Sequence, residues 1–161
     1  AGDVIATART AIGAEETAPE LWERLAKLGG ELLVATIPHL RDGTASRTPQ
    51  DESVFTYAPM LTKAMSPVDW NRSAAAIHNQ IRGLQPWPCA VAEIDGRLCK
   101  LFRAEIGSET KAVPGTILRA DKQGIEVVCG DGRSLRILEL QGEGGKRMNA
   151  ASYLNGHPIR L

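Results

Sequence analysis

The sequence has little of what usually builds a catalytic or metal centre, and few aromatics. Only 4% of its 161 residues are Phe, Trp or Tyr, so Leu, Ile, Val and Ala must fill the interior. Neither sign of charge dominates. The 19 Lys and Arg balance 19 Asp and Glu, which argues against a uniformly basic coat. No apolar run approaches membrane-spanning length, and the first residues lack the basic-then-apolar order of a secretory signal. Cysteine is limited to Cys89, Cys99 and Cys129, an odd number without C-x-x-C spacing. All three lie in strand-like runs and are expected as buried, reduced thiols of a cytoplasmic protein. His39, His78 and His157 occupy separate segments with no acid or nucleophile at motif spacing, so no metal site is expected. Ser134 and Ser152 have no G-x-S-x-G setting. The run Gly142-Glu143-Gly144-Gly145-Lys146-Arg147 lacks the Gly-Lys-Ser/Thr ending of a phosphate-binding loop.

What is present divides the chain into three parts. Residues 3–12 read as an extended stretch with partial alternation. Thr17-Ala18-Pro19-Glu20 then marks a helix start: Thr17 caps, Pro19 suits the first turn, and Glu20 can reach back in a capping box. Leu21, Leu25, Leu28 and Leu32 continue an apolar stripe, which Gly29-Gly30 and Pro38 weaken and Asp42-Gly43 closes. A strand and a helix make half of an α/β unit. Such a half cannot cover its own apolar stripe, so the sheet that covers it is expected upstream of Ala1, in a longer chain. From Thr44 to Pro67, Ser, Thr, Pro, Gln and Asp dominate. This reads as a linker, ordered where Val54, Phe55 and Tyr57 find a surface.

A short amphipathic helix follows. Ser73 can cap it, Ala74, Ile77, Ile81 and Leu84 share one face, and Gly83 lies where it can end. The Pro86-Trp87-Pro88 corner forbids its continuation, and Trp87 is expected as a buried anchor between helix and sheet. The rest is strands: Cys89–Ile94 and Arg97–Ala104 around Asp95-Gly96, and Gly115–Ala120 and Ile125–Cys129 around Asp121–Gly124. Ser134–Leu140 follows Asp131-Gly132, and a late helix spans Asn149–Leu154. Short strands at this spacing predict a small closed or nearly closed barrel.

Charge is distributed unevenly. Residues 1–45 carry four Lys or Arg against seven Asp or Glu, a net of −3, and residues 46–161 carry fifteen against twelve, a net of +3. This points to an anionic partner for the second part. Lys100 and Arg103 lie on one strand, Arg119 and Lys122 near one turn, Arg133 and Arg136 after another, and Lys146-Arg147 in a Gly-rich loop. Long cationic side chains on rims and loops suit phosphate backbones.

Several segments, in order, resemble the C-terminal half of the methionyl-tRNA formyltransferase family. They begin with Ala1-Gly2-Asp3-Val4-Ile5, Glu16-Thr17, Leu25-Ala26-Lys27-Leu28-Gly29 and Pro49-Gln50-Asp51-Glu52. Thr56-Tyr57-Ala58-Pro59, Leu61-Thr62-Lys63, Asp69-Trp70 and Ile81-Arg82-Gly83-Leu84 with Pro86-Trp87-Pro88 follow. Pro114-Gly115-Thr116-Ile117, Gly130-Asp131-Gly132 and Gly145-Lys146-Arg147-Met148 complete the series.

The resemblance implies an α+β chain in three parts: a strand–helix remnant of a Rossmann-like catalytic domain (1–44), an interdomain linker (45–67) and a small OB-like antiparallel barrel (68–161). It implies an enzyme that moves a formyl group from 10-formyltetrahydrofolate to the amino group of initiator methionyl-tRNA, acting as a monomer in the cytoplasm. This segment would supply tRNA binding, through Lys63, Arg82, Lys100, Arg103, Lys146 and Arg147. The family's catalytic Asn and His lie upstream of such a segment, and its catalytic Asp would directly precede Ala1. No catalytic residue is therefore assigned, Asp3 matching the later, non-catalytic acid, and no folate is expected to bind this piece alone. Met60 stands where the family usually carries Lys, and Ala64-Met65 where an acidic pair often follows Lys63. The alternatives are another folate-dependent formyltransferase, acting on a sugar nucleotide or as a folate-oxidising fusion, and a non-catalytic RNA-binding module.

Overall fold

Glu20 reaches back as its spacing predicts: its carboxylate accepts from the Thr17 backbone N–H at 2.7 Å and from the Thr17 hydroxyl at 2.8 Å. From this cap α1 runs over Ala18–Arg41, through Gly29-Gly30 and past Pro38, in a computed structural model that describes residues 2–161. Ala1, the first residue of the first motif, lies outside the described residues. Pro38 is tolerated because the helix ends within a turn of it, where the Asp42 N–H donates to the Pro38 carbonyl at 2.9 Å. Arg24 fastens the preceding loop to α1, donating to Glu16 and to the Ala11 carbonyl at 2.8 Å each, and to the Thr10 hydroxyl.

The chain divides into two compact units, Ala1–Met60 and Leu61–Leu161. In the first, no residue of α1 is buried, and Trp22, Leu33, Val34 and Ile37 are exposed. The strand expected over 3–12 is reduced to one antiparallel bridge, Val4 to Thr48. The reason is physical: a strand needs a neighbour for its N–H and C=O groups, and among the described residues of the unit it is offered this one pairing. Val54, Phe55 and Tyr57, expected to find a surface, are 72, 74 and 82% exposed.

The second unit holds the core. A 3-10 turn at Lys63–Met65 is tied to α2 (Ala74–Gly83) by Gln80, whose amide donates to the carbonyls of Met65 at 2.9 Å and Pro67 at 3.0 Å. Ser73 caps α2 as expected, accepting from the Ala76 N–H at 3.2 Å, and Asp131 accepts from the Ala74 N–H at 3.1 Å. Strands β1 (Ala90–Ile94), β2 (Arg97–Glu109), β3 (Ile117–Asp121), β4 (Gly124–Val128) and β5 (Arg133–Gly142) form an antiparallel sheet in the order β1-β2-β5-β4-β3. The two-residue β6 (Met148–Asn149) pairs with β5, and α3 (Ala150–Gly156) follows, capped by Asn149. Asp95 and Gly96, with φ of 49° and 73°, make the tight β1–β2 turn that their identities predict. Leu101, Ile125, Leu135, Ile137 and Leu140 are fully buried beneath Ala74, Ile77 and Ile81 of α2.

Two expectations are corrected. The sheet is open rather than a nearly closed barrel, with β1 and β3 at its ends. The outer edge of β1 is already occupied: Val68 N–H donates to the Val91 carbonyl and Val91 N–H to the Ser66 carbonyl, both at 2.8 Å. That pairing satisfies the edge groups closure would otherwise have used. Trp87 is not a buried anchor but is 52% exposed. The joint between α2 and the sheet is made by buried Gln85, whose amide donates to the Ile81 carbonyl at 3.1 Å and to the Phe102 carbonyl of β2 at 2.8 Å.

The three cysteines are buried and free, as expected. Burial pushes the Cys129 thiol up to about 11. In the unfolded chain that thiol ionises near its ordinary value of 9.0, while the folded one stays protonated, so stability should fall as pH rises from about 9 to about 11. Chemical denaturation at stepped alkaline pH checks this, and Cys129→Ala should make the decline shallower. Gln85→Leu leaves two carbonyls without their donor and should cost about 1–3 kcal/mol in urea unfolding, more than Trp87→Ala.

Candidate nucleic-acid interface

The β2–β5 pairing sets the positions of the predicted cations. Lys100 lies opposite Gln141 and Arg103 opposite Glu139, while Leu101, between them, turns into the core against Leu140. Beyond β5 the chain turns through Gly142–Gly145 and returns along β6, bringing Lys146 and Arg147 back over the same strands. Arg147 is held in two ways. Its guanidinium lies 4.6 Å from the centre of the Phe102 ring, and it donates to the Glu139 carboxylate at 2.8 Å from Nε and 2.5 Å from Nη2. At a half-exposed site such contacts contribute about 1 kcal/mol each at most, so they orient Arg147 more than they stabilise the fold.

Lys146 lines a groove of about 380 Å³ with Arg97, Leu98, Tyr153, His157 and the Gly142–Gly145 turn. Lys100 lines an adjoining groove of about 320 Å³ on the other side of that turn. Arg103 shares a third, of about 310 Å³, with Lys122 and Glu139. Four of the six predicted cations thus gather around one end of the sheet. The other two lie apart, on the 3-10 turn and the last turn of α2, beside a groove of about 450 Å³ that includes Arg72. Lys63 is exposed there, while Arg82 is half-buried and donates from Nε to Asn79 at 2.9 Å.

The electrostatics agree with this grouping. Burial raises the Cys89 thiol, and the charges of Lys100 and Arg147 offset part of that rise, so both cations stand near the base of the Trp87 corner. Burial and the Cys99 thiol 3.4 Å away push Tyr153 up to about 12, against the pull of the Arg97 guanidinium. Sequence reasoning missed Phe102, Glu139 and Arg97. Period-2 alternation from Lys100 could have placed Phe102 on the same face, but Glu139 and Arg97 needed the register. Residues 2–60 contain no buried side chain. No helix among the described residues is long and apolar enough to cross a membrane.

Residues 60–158 match the family model described as formyl transferase, C-terminal domain. The chain is 45% identical over 160 residues to the methionyl-tRNA formyltransferase of Trichlorobacter lovleyi, covering 99% of this chain and 50% of that protein. It is 43% identical over 159 residues to the methionyl-tRNA formyltransferase of Citrifermentans bemidjiense, covering 99% and 49%. The chain therefore spans about half the length of the curated relatives it matches. Among solved structures, a variant of HypX from Aquifex aeolicus aligns with a TM-score of 0.69 at 20% identity, over 95% of this chain and 28% of that one. An N-formyltransferase from Helicobacter canadensis, complexed with folinic acid and dTDP-3-aminofucose, aligns with a TM-score of 0.66 at 16% identity, over 84% and 49%. These two likenesses establish the fold.

Glu139 is the acid that pairs with Arg147. Glu139→Gln removes one negative charge and releases the Arg147 guanidinium, so the variant should elute from heparin at higher salt than the parent chain. An Arg147→Gln, Glu139→Gln double variant should lose that gain.

Proposed function

The chain belongs to the formyl transferase C-terminal domain family, and we propose that it is the tRNA-holding half of a methionyl-tRNA formyltransferase. One observation carries the reading: four cations, Lys100, Arg103, Lys146 and Arg147, gather around one end of the sheet in a chain with no net charge. The identity to the two methionyl-tRNA formyltransferases, extending over nearly the whole of this chain, supports it.

The complete enzyme moves a formyl group from 10-formyltetrahydrofolate to the amino group of initiator methionyl-tRNA in the cytoplasm, as a monomer. The base that accepts the amine proton and the donors that stabilise the tetrahedral oxyanion belong to the other half of its length. This half supplies binding energy. The sheet is an OB-like barrel left open, residues 45–67 are the interdomain linker, and Lys63 and Arg82 extend the contact beyond the main cluster. Phosphate contacts of this kind position the RNA without reading its sequence, and they raise affinity in a salt-dependent way.

Filter binding of initiator tRNA to this chain over a salt series tests the proposal. The logarithm of affinity should fall linearly with the logarithm of salt concentration. Lys100→Glu with Arg147→Glu should flatten the slope by about 0.7–0.9 per lost contact. In the complete enzyme the same pair should raise KM for tRNA with little change in kcat, as expected when ground and transition states lose the same binding. Salt-independent or undetectable binding would overturn the reading.

A further inference from the structure

We propose that Arg97, at the tip of the β1–β2 hairpin, is a further RNA phosphate contact, in a groove it shares with Lys146. The inference rests on the tRNA-holding reading and deepens it. Arg97 opens β2 immediately after the Asp95-Gly96 turn and is exposed. The register of β2 on β5 places Cys99 opposite Gly142, which sets the tips of two hairpins side by side. Between them lies the groove of about 380 Å³, with Arg97 on one wall and Lys146 on the other.

The floor of this groove is Tyr153 and His157, whose rings stack with centroids 4.4 Å apart and planes 13° apart. Gly142 packs closely on that floor, since a Cβ there would come within 3.1 Å of the Tyr153 ring. The wall beyond it turns at Gly144, whose φ of 67° suits a residue without a side chain. The Tyr153 hydroxyl is fixed by Cys99 at 3.4 Å and faces the Arg97 guanidinium, which gives that long side chain an orientation. Glu143 is the acid in the lining, so the site carries two cations against one carboxylate.

The partner is a phosphodiester chain rather than a small anion because the groove continues. Leu98, Gly142, Glu143 and Gly144 line both this groove and the adjoining one that holds Lys100. Cations therefore line a path that passes on both sides of the glycine turn. A planar guanidinium also matches two phosphate oxygens at once, which an ammonium cannot do.

The test uses the 161-residue chain, initiator tRNA, a salt series and thermal melts. Arg97→Gln should weaken binding about fivefold at low salt and flatten the salt slope by about 0.7–0.9 without lowering Tm. Arg97→Lys should keep the slope because the charge remains, and Tyr153→Phe should keep it because no charge is lost. If the parent chain binds tRNA and Arg97→Gln matches it in affinity and slope, the Arg97 inference falls and the tRNA reading stands. Weakened binding with an unchanged slope marks a structural role and also overturns the inference. If the parent chain does not bind tRNA, both fall together. Competition by inorganic phosphate that abolishes the Arg97-dependent part of binding at concentrations too low to screen charge would reassign the groove to a small anion.

Discussion

The register between β2 and β5 is the constraint on which the interface depends, because side chains in a strand alternate faces with a period of two. With Leu101 opposite Leu140, Lys100 and Phe102 point away from the core, and Gln141 and Glu139 flank their partners. A slip of one residue would drive Lys100 toward α2 and Leu101 into water. Burial of Leu101, Leu135, Ile137 and Leu140 prevents this, each contributing roughly 1.5–3 kcal/mol as a buried aliphatic side chain. The apolar face thus determines where the charged face lies. The register shifts around Phe102 bend β2 where it leaves β1 behind and continues along β5 alone.

The other face of the sheet is organised by charge. Arg119 pairs in register with Glu126, Glu126 with Arg136, and Arg136 with Glu105, so opposite signs alternate across β3, β4, β5 and β2. Cross-strand pairs of this kind contribute about 0.2–1 kcal/mol each and disfavour other registers by opposing like charges. Glu126 is buried and accepts from the Ser134 hydroxyl at 2.5 Å. Gly107 makes room for both, since a Cβ there would collide with the Ser134 hydroxyl and crowd Glu126. Arg119 and Arg136, which the sequence offers as phosphate contacts, therefore already face carboxylates across the sheet.

Local signals were legible in the sequence where their chemistry is local. Thr17 with Glu20, Ser73 and Asp95-Gly96 each start a helix or turn the chain through groups within three residues, and each does so here. Features that depend on a distant partner were not legible. The extended reading of 3–12 needs a neighbouring strand, barrel closure needs a free edge on β1, and the burial of Trp87 needs a surface facing it. Gln85 was overlooked for the same reason: its value lies in two carbonyls, one of them seventeen residues away on β2. The six cations were readable as residue types, but their division into a cluster of four and an outlying two follows from the sheet.

A chain with no net charge can still hold a polyanion, because screening makes binding a matter of local arrangement. At physiological ionic strength the Debye length is about 8 Å, so acids at the far end of the sheet weigh little against cations beside the glycine turn. The acids that matter are the near ones, Glu139 and Glu143. Glu139 is occupied by Arg147, and that pair is half-exposed, with side-chain accessibilities of 31% and 52%. An incoming phosphate can therefore share or displace the carboxylate without leaving a buried charge unpaired, a loss that would cost several kcal/mol. Phe102 lies against the guanidinium, 4.6 Å from its ring centre, and would keep the cation oriented through such an exchange.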